Sequence, residues 1–205
     1  SAWAGKKVLL HFGAVDYEAA VYINGKHLLT HHGAGTSFCV DITKHVPAGT
    51  SASLVVRVND DLRGGKQPGG KQCTNFFSRG CSYTRVTGIW QTVWMEPVAA
   101  EGLKQVFAMP DVDNSQLVVH PEFWAESNSN TLTVQVTDGK KTVAEKTVNA
   151  TNNSIVVLPI KNAKLWSPES PHLYDVKYTV KDKAGNIVDK VDSYAGMRKV
   201  HCANG

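Results

Sequence analysis

Apolar positions recur every second residue along most of the chain, the spacing of β-strands whose alternate side chains face a core. Lys7 to Phe12 reads as a first strand, and Tyr17 to Ile23 alternates after it. Asn24-Gly25, two residues that tolerate positive φ, then predicts a tight hairpin into Lys26 to Thr30. Further strands are predicted at Ser37 to Ile42, Ser53 to Asn59, Tyr83 to Arg85 and Gln91 to Val98. Between Asp60 and Ser82 the alternation lapses into a stretch rich in Gly, Lys and Gln. A loop this long inside a compact domain is either functional or disordered.

The texture changes around Pro97 to Gly102. Short, evenly spaced strands follow at Leu103 to Ala108, Gln116 to His120, Thr131 to Thr137, Thr142 to Val148, Ile155 to Ile160, Leu173 to Val180 and Ile187 to Tyr194. Asp138-Gly139 and Ala184-Gly185-Asn186 supply turns between them. Seven such strands in roughly 100 residues suggest an immunoglobulin-like sandwich without the Cys…Trp…Cys spacing of antibody domains. No segment has the periodicity of a three-turn helix. The pattern predicts an all-β protein of two tandem β-sandwiches, residues 1–99 and 100–205.

Composition narrows the chemistry. A content of 42% hydrophobic and 20% charged residues belongs to a globular chain and excludes a disordered one. The net charge of +4 is dispersed, and Lys140-Lys141 and Lys161 to Lys164 are too short for a nucleic-acid patch, so no nucleic-acid partner is expected. No apolar run approaches the ~18 residues a membrane helix needs, and no membrane partner is expected. No signal peptide is visible; the chain opens at Ser1-Ala2-Trp3 without methionine and is read as a segment of a longer polypeptide. None of Cys39, Cys73, Cys81 and Cys202 forms a CxxC pair, so no metal site or cofactor is expected. Cys73 and Cys81 are either a disulfide or two free thiols within one loop, and Cys39 is expected in the core. His31-His32 are read as solvated loop residues. Asp60-Asp61 is the single adjacent acidic pair, and neighbours on a strand point to opposite faces, so the two are poorly placed to act on one bond.

Several segments, in order, resemble glycoside hydrolase family 2, the group of β-galactosidases, β-glucuronidases and β-mannosidases. They are Trp3 to Tyr17, running on to Val21-Tyr22-Ile23-Asn24-Gly25-Lys26, then Phe38-Cys39-Val40-Asp41-Ile42-Thr43 and Leu54 to Asp60. The sharpest is Tyr83-Thr84-Arg85-Val86-Thr87-Gly88-Ile89-Trp90-Gln91-Thr92-Val93-Trp94-Met95-Glu96, and Leu165-Trp166-Ser167-Pro168 and Gly196-Met197-Arg198 close the series. The resemblance covers the whole chain. It implies a galactose-binding-like jelly roll over residues 1–99, lacking leading strands, and an immunoglobulin-like domain over 100–205. Gly88 is expected to relieve crowding where a strand bends, and Trp166 to cover a rigid turn.

The resemblance implies a retaining O-glycosyl hydrolase as parent. In that family the two carboxyl groups, about 5–5.5 Å apart, sit on a TIM barrel downstream of such domains. This stretch is therefore expected to be catalytically silent, to support the barrel and to edge its sugar pocket. Arg63, Lys66 and Gln67 resemble an Arg-Gly-Lys-Gln signature with one glycine inserted, and are expected to contact sugar or barrel. Ser82 occupies a position where relatives often carry a sugar-contacting Asp; it can bond a hydroxyl but is a poor metal ligand. Two other readings stay open: a free-standing carbohydrate-binding module, which requires Trp90 or Trp124 to face solvent, and a structural tandem sandwich. Expected partners are carbohydrate, the barrel, and further copies of the chain through an unpaired sheet edge. A periplasmic or extracellular setting is favoured.

Overall fold

The computed structural model describes residues 3–47 and 49–202. It is all-β, with no helix among the described residues. The chain divides into two compact units, residues 1–98 and 99–205.

The first unit contains β1 (Lys7–Phe12), β2 (Val15–Asp16), β3 (Glu18–Ile23), β4 (Lys26–His32), β5 (Phe38–Asp41), β6 (Leu54–Asn59), β7 (Gly88–Ile89) and β8 (Val93–Val98). Two antiparallel three-stranded sheets, β5-β1-β8 and β4-β3-β6, are joined by the short β2-β7 ladder. Alternation explains the core. Leu10 and Phe12 of β1 bury one face with Val21 and Ile23 of β3 and Val40 and Ile42 beyond. Phe12 stacks on its register partner Phe38 at 4.7 Å. Full burial of a side chain of this size contributes about 1.5–3 kcal/mol.

Asn24 and Gly25 adopt φ of 49° and 79°, so the hairpin has the predicted left-handed turn. Asn24 also exchanges hydrogen bonds with Ser53: its N–H donates to the Ser53 carbonyl and its Oδ1 accepts from the Ser53 N–H, both at 2.9 Å. One residue thereby fixes a turn and brings β6 to β3.

The second unit contains β9 (Leu103–Asp111), β10 (Gln116–Phe123), β11 (Thr131–Asp138), β12 (Lys141–Asn149), β13 (Val156–Pro159), β14 (Tyr174–Lys181) and β15 (Ile187–Ala195). They form the sheets β13-β10-β9 and β12-β11-β14-β15. Burial alternates strictly along β10, β11 and β14. Leu117, Val119, Leu132, Val134, Val136, Val176 and Val180 meet in the core with Tyr174 and Tyr178. Pro121 lies in the central strand β10, beyond Val119, the last β10 residue to pair with β13, so its missing N–H interrupts no ladder on that side.

Four expectations need correction. Tyr83 to Arg85 is not a strand: between Asn59 and Gly88 the described residues make only isolated bridges, Gln72 with Tyr83 and Arg79 with Ser82. Cys39 is exposed, because the inward positions of β5 fall to its neighbours Phe38 and Val40. His31 and His32 lie on β4, where His31 stacks on Phe38 at 4.2 Å and His32 meets Glu18 at 3.2 Å. Gly88 is uncrowded; its φ of +118° is what a side chain would oppose.

Candidate functional site

The long loop is ordered by its own polar groups. Asp60 accepts from Gln67 Nε2 at 2.5 Å and from Thr87 Oγ1 at 2.9 Å, linking both ends of the loop. Gln67 Oε1 accepts from the Asp61 N–H at 3.1 Å. Asp61 turns the other way and caps the Gly64 N–H at 3.0 Å. A Cβ at Gly64 would lie 2.2 Å from Asp61 Oδ2, so a larger residue there would push the Asp61 carboxylate off its cap. Further on, the Cys73 N–H donates to the Tyr83 carbonyl and the Tyr83 N–H to the Lys71 carbonyl, both at 2.7 Å.

This folded loop brings Gln72 over β2. Gln72 Nε2 donates to Asp16 Oδ2 at 2.7 Å, and Gln72 Oε1 accepts from the Val86 N–H at 2.7 Å. The side chain clamps three segments together. Asp16 is only 6% exposed, and its Oδ1 has no partner. That carboxylate lines a cleft of about 390 Å³ whose other walls include Gln72, Lys71, Tyr83, Thr84 and Trp90. Burial raises the Asp16 pKa above the ordinary carboxylate value; the Gln72 hydrogen bond opposes this, and the charge of Asp60 adds to it.

Beside this buried, unmet oxygen the cleft is walled by two exposed aromatic rings, Tyr83 and Trp90, with the Lys71 ammonium 5.9 Å from the Tyr83 centroid. A buried acceptor without a donor costs about 1–3 kcal/mol. A hydroxyl-bearing ligand would supply that donor while its apolar edge covers a ring.

The expected site residues lie elsewhere. Arg63 is exposed, its guanidinium 5.5 Å from the Phe76 ring, with Arg85 over the same ring at 4.5 Å. Lys66 is exposed, Gln67 is engaged within the loop as described, and Ser82 is half-buried and bridges its backbone to Arg79. None of the four lines the Asp16 cleft. Asp16 and Gln72 were not singled out from the sequence. The one local cue was a carboxylate inside an otherwise apolar, strand-forming run at Ala14-Val15-Asp16.

Among the described residues no group of three or more His, Cys, Asp or Glu side chains could hold a metal ion. Cys73 is buried and Cys81 exposed, with no disulfide between them. Trp90 is 54% exposed, and its Nε1 donates to the Ala34 carbonyl at 2.8 Å. At the far end of the chain, Trp166 packs on Gly196 and carries Arg198 over its ring at 4.8 Å.

The architecture defines a β-sandwich protein. Its fold matches a β-glucuronidase from Ruminococcus gnavus solved with D-glucuronic acid, with a TM-score of 0.75 and 22% identity over 98% of this chain and 35% of that one. Residues 103–198 match the sequence profile of glycosyl hydrolases family 2. A β-glucuronidase from Bacteroides fragilis is 28% identical over 97% of this chain, which spans 30% of that protein. A β-galactosidase from Thermoanaerobacter pseudethanolicus is 28% identical over 97% of this chain and 27% of its own length. The match to glycosyl hydrolases family 2 falls on residues 103–198, and the chain spans about a third or less of these curated relatives.

Proposed function

We propose that this chain is a non-catalytic part of a retaining β-galactosidase- or β-glucuronidase-like enzyme. It supports a catalytic barrel carried elsewhere in the polypeptide and edges its sugar pocket. The observation that carries this reading is Asp16, a buried carboxylate with one unmet oxygen in a cleft rimmed by the long loop. In the complete enzyme, Asp16 accepts a substrate hydroxyl and Gln72 holds its orientation. The chemistry of bond cleavage needs two facing carboxyl groups. Asp60 and Asp61 do not provide them, since one is bonded to Gln67 and Thr87 and the other caps its own turn. Arg63 and Lys66, both exposed, are placed by this reading against the barrel rather than against the Asp16 cleft.

Two assays test it. The 205-residue chain alone is expected to leave p-nitrophenyl β-galactoside and β-glucuronide intact; hydrolysis by it would sink the proposal. In the complete polypeptide, Asp16→Asn is expected to raise KM about tenfold, the effect of losing one well-placed hydrogen bond of about 1.4 kcal/mol, whereas unchanged kinetics would remove Asp16 from the pocket. The exposure of Trp90 favours a second reading, in which the chain binds carbohydrate in its own right.

A further inference from the structure

A second surface depression of the first unit shares Gly35 and Trp90 with the Asp16 cleft but otherwise has its own walls. Its walls include Trp90, Trp94, Gln91, Thr92, Ser37 and Ile89. It is broad and open, about 900 Å³ in volume, and none of its lining residues carries a charge. Trp90 and Trp94 are 54% and 42% exposed, so two large rings face water where a folded domain would ordinarily bury them.

Both indoles are held in place. Trp90 is tied by its Nε1–H to the Ala34 carbonyl. Trp94 lies flat on His11, with centroids 4.8 Å apart and planes 6° from parallel, and His11 is itself 3.0 Å from Glu96. Between them Gln91 sits against Gly13, where an added Cβ would come within 2.8 Å of the Gln91 Cβ. The Gly13 N–H is bonded to the Thr92 carbonyl. Immobilised rings lose little entropy when a ligand covers them, and the amide and hydroxyls beside them supply both donors and acceptors.

We infer that this groove is a binding platform for a neutral oligosaccharide. The apolar faces of successive sugar rings rest on Trp94 and Trp90, and their hydroxyls reach Gln91, Thr92 and Ser37. The lining has no cation to pair with a uronate carboxylate, so the ligand class is neutral. Two rings in one open groove fit a chain of sugars better than a single unit. The inference does not rest on the role given to Asp16.

The test is titration of the 205-residue chain with mono- and tetrasaccharides of β-1,4-linked galactose, mannose and glucose, with tetragalacturonate as the charged comparator. Calorimetry and the indole N–H resonances report binding. One neutral tetrasaccharide is expected to bind about tenfold or more tighter than its monosaccharide, shifting the Trp90 and Trp94 signals. Trp94→Ala is expected to weaken it about tenfold, while Trp94→Phe, which keeps a ring on His11, retains most of the affinity. Lys177→Ala, on the second unit, is expected to leave it unchanged. Three results overturn the proposal: no neutral tetrasaccharide binds, only the uronate binds, or binding survives Trp94→Ala. Indole signals that ignore every glycan but broaden as protein concentration rises would also overturn it, by giving the face to a protein contact.

Discussion

At Asp16 stability and ligand binding are set against each other. Its carboxyl is buried, its pKa is raised, and one oxygen goes unmet. A carboxyl whose folded pKa lies above its unfolded value binds its proton more tightly in the native state. Its contribution favours folding at pH below the unfolded value and is lost as pH rises through the folded one. Asp16→Asn removes the charge that burial disfavours and is therefore expected to stabilise the protein at pH 7, read as a higher urea midpoint. The gain should shrink as the pH falls towards 4, about the value of an ordinary carboxylate, and urea unfolding of both proteins across that range measures it. The thiols give a second test at this scale. Cys39, Cys81 and Cys202 are exposed and expected to react at once with an aromatic disulfide reagent, whereas buried Cys73 reacts only on unfolding.

Among the elements, β11 is the central support of the second unit, paired with β12 on one side and β14 on the other. Leu132, Val134 and Val136 are fully buried along it. Leu132→Ala is expected to cost about 2–5 kcal/mol, from lost transfer energy and the cavity left behind, read as a lower urea midpoint. The β11–β12 hairpin is tied down through Asp138, which pairs with Lys164 at 2.6 Å and lies 3.4 Å from His172. The Lys164 hydrogen bond holds the Asp138 pKa below the ordinary carboxylate value. That support is present above the unfolded value and is lost as pH falls through the folded one. The long loop before β7 behaves differently from a strand. Its order comes from Asp60, Asp61, Gln67 and Gln72 rather than from a ladder.

For the whole molecule, the first unit leaves part of its apolar interior open. Met95 of β8 faces the side of the sheet that buries its partner Leu10, yet it is 52% exposed, and Leu54 opposite Ile23 is 43% exposed. Among the described residues β8 is an edge strand, paired with β1 alone. We propose that copies of this chain associate through that edge, as unpaired strands with apolar neighbours do. Sedimentation is expected to show a weight-average mass that rises with concentration, and Met95→Lys to reduce the rise. A clean monomer at high concentration would rule the edge out.

The sequence by itself determined most of the strands, the Asn24-Gly25 turn and the all-β class. These follow from period-two alternation and backbone preferences acting over a few residues. It also carried the resemblance to glycoside hydrolase family 2, through segments spread along the chain. Only the tertiary structure decided which polar groups converge. Gln72 meets Asp16 and Trp90 meets Ala34, each across 56 positions of chain, and nothing in either local sequence encodes such an encounter. Arg63, Lys66, Gln67 and Ser82 stood out as a local signature, but the folded loop turns them towards Phe76, solvent, Asp60 and Arg79. Burial is a property of the surroundings, so the carboxylate left with an open valence could be recognised only once its neighbours were in place.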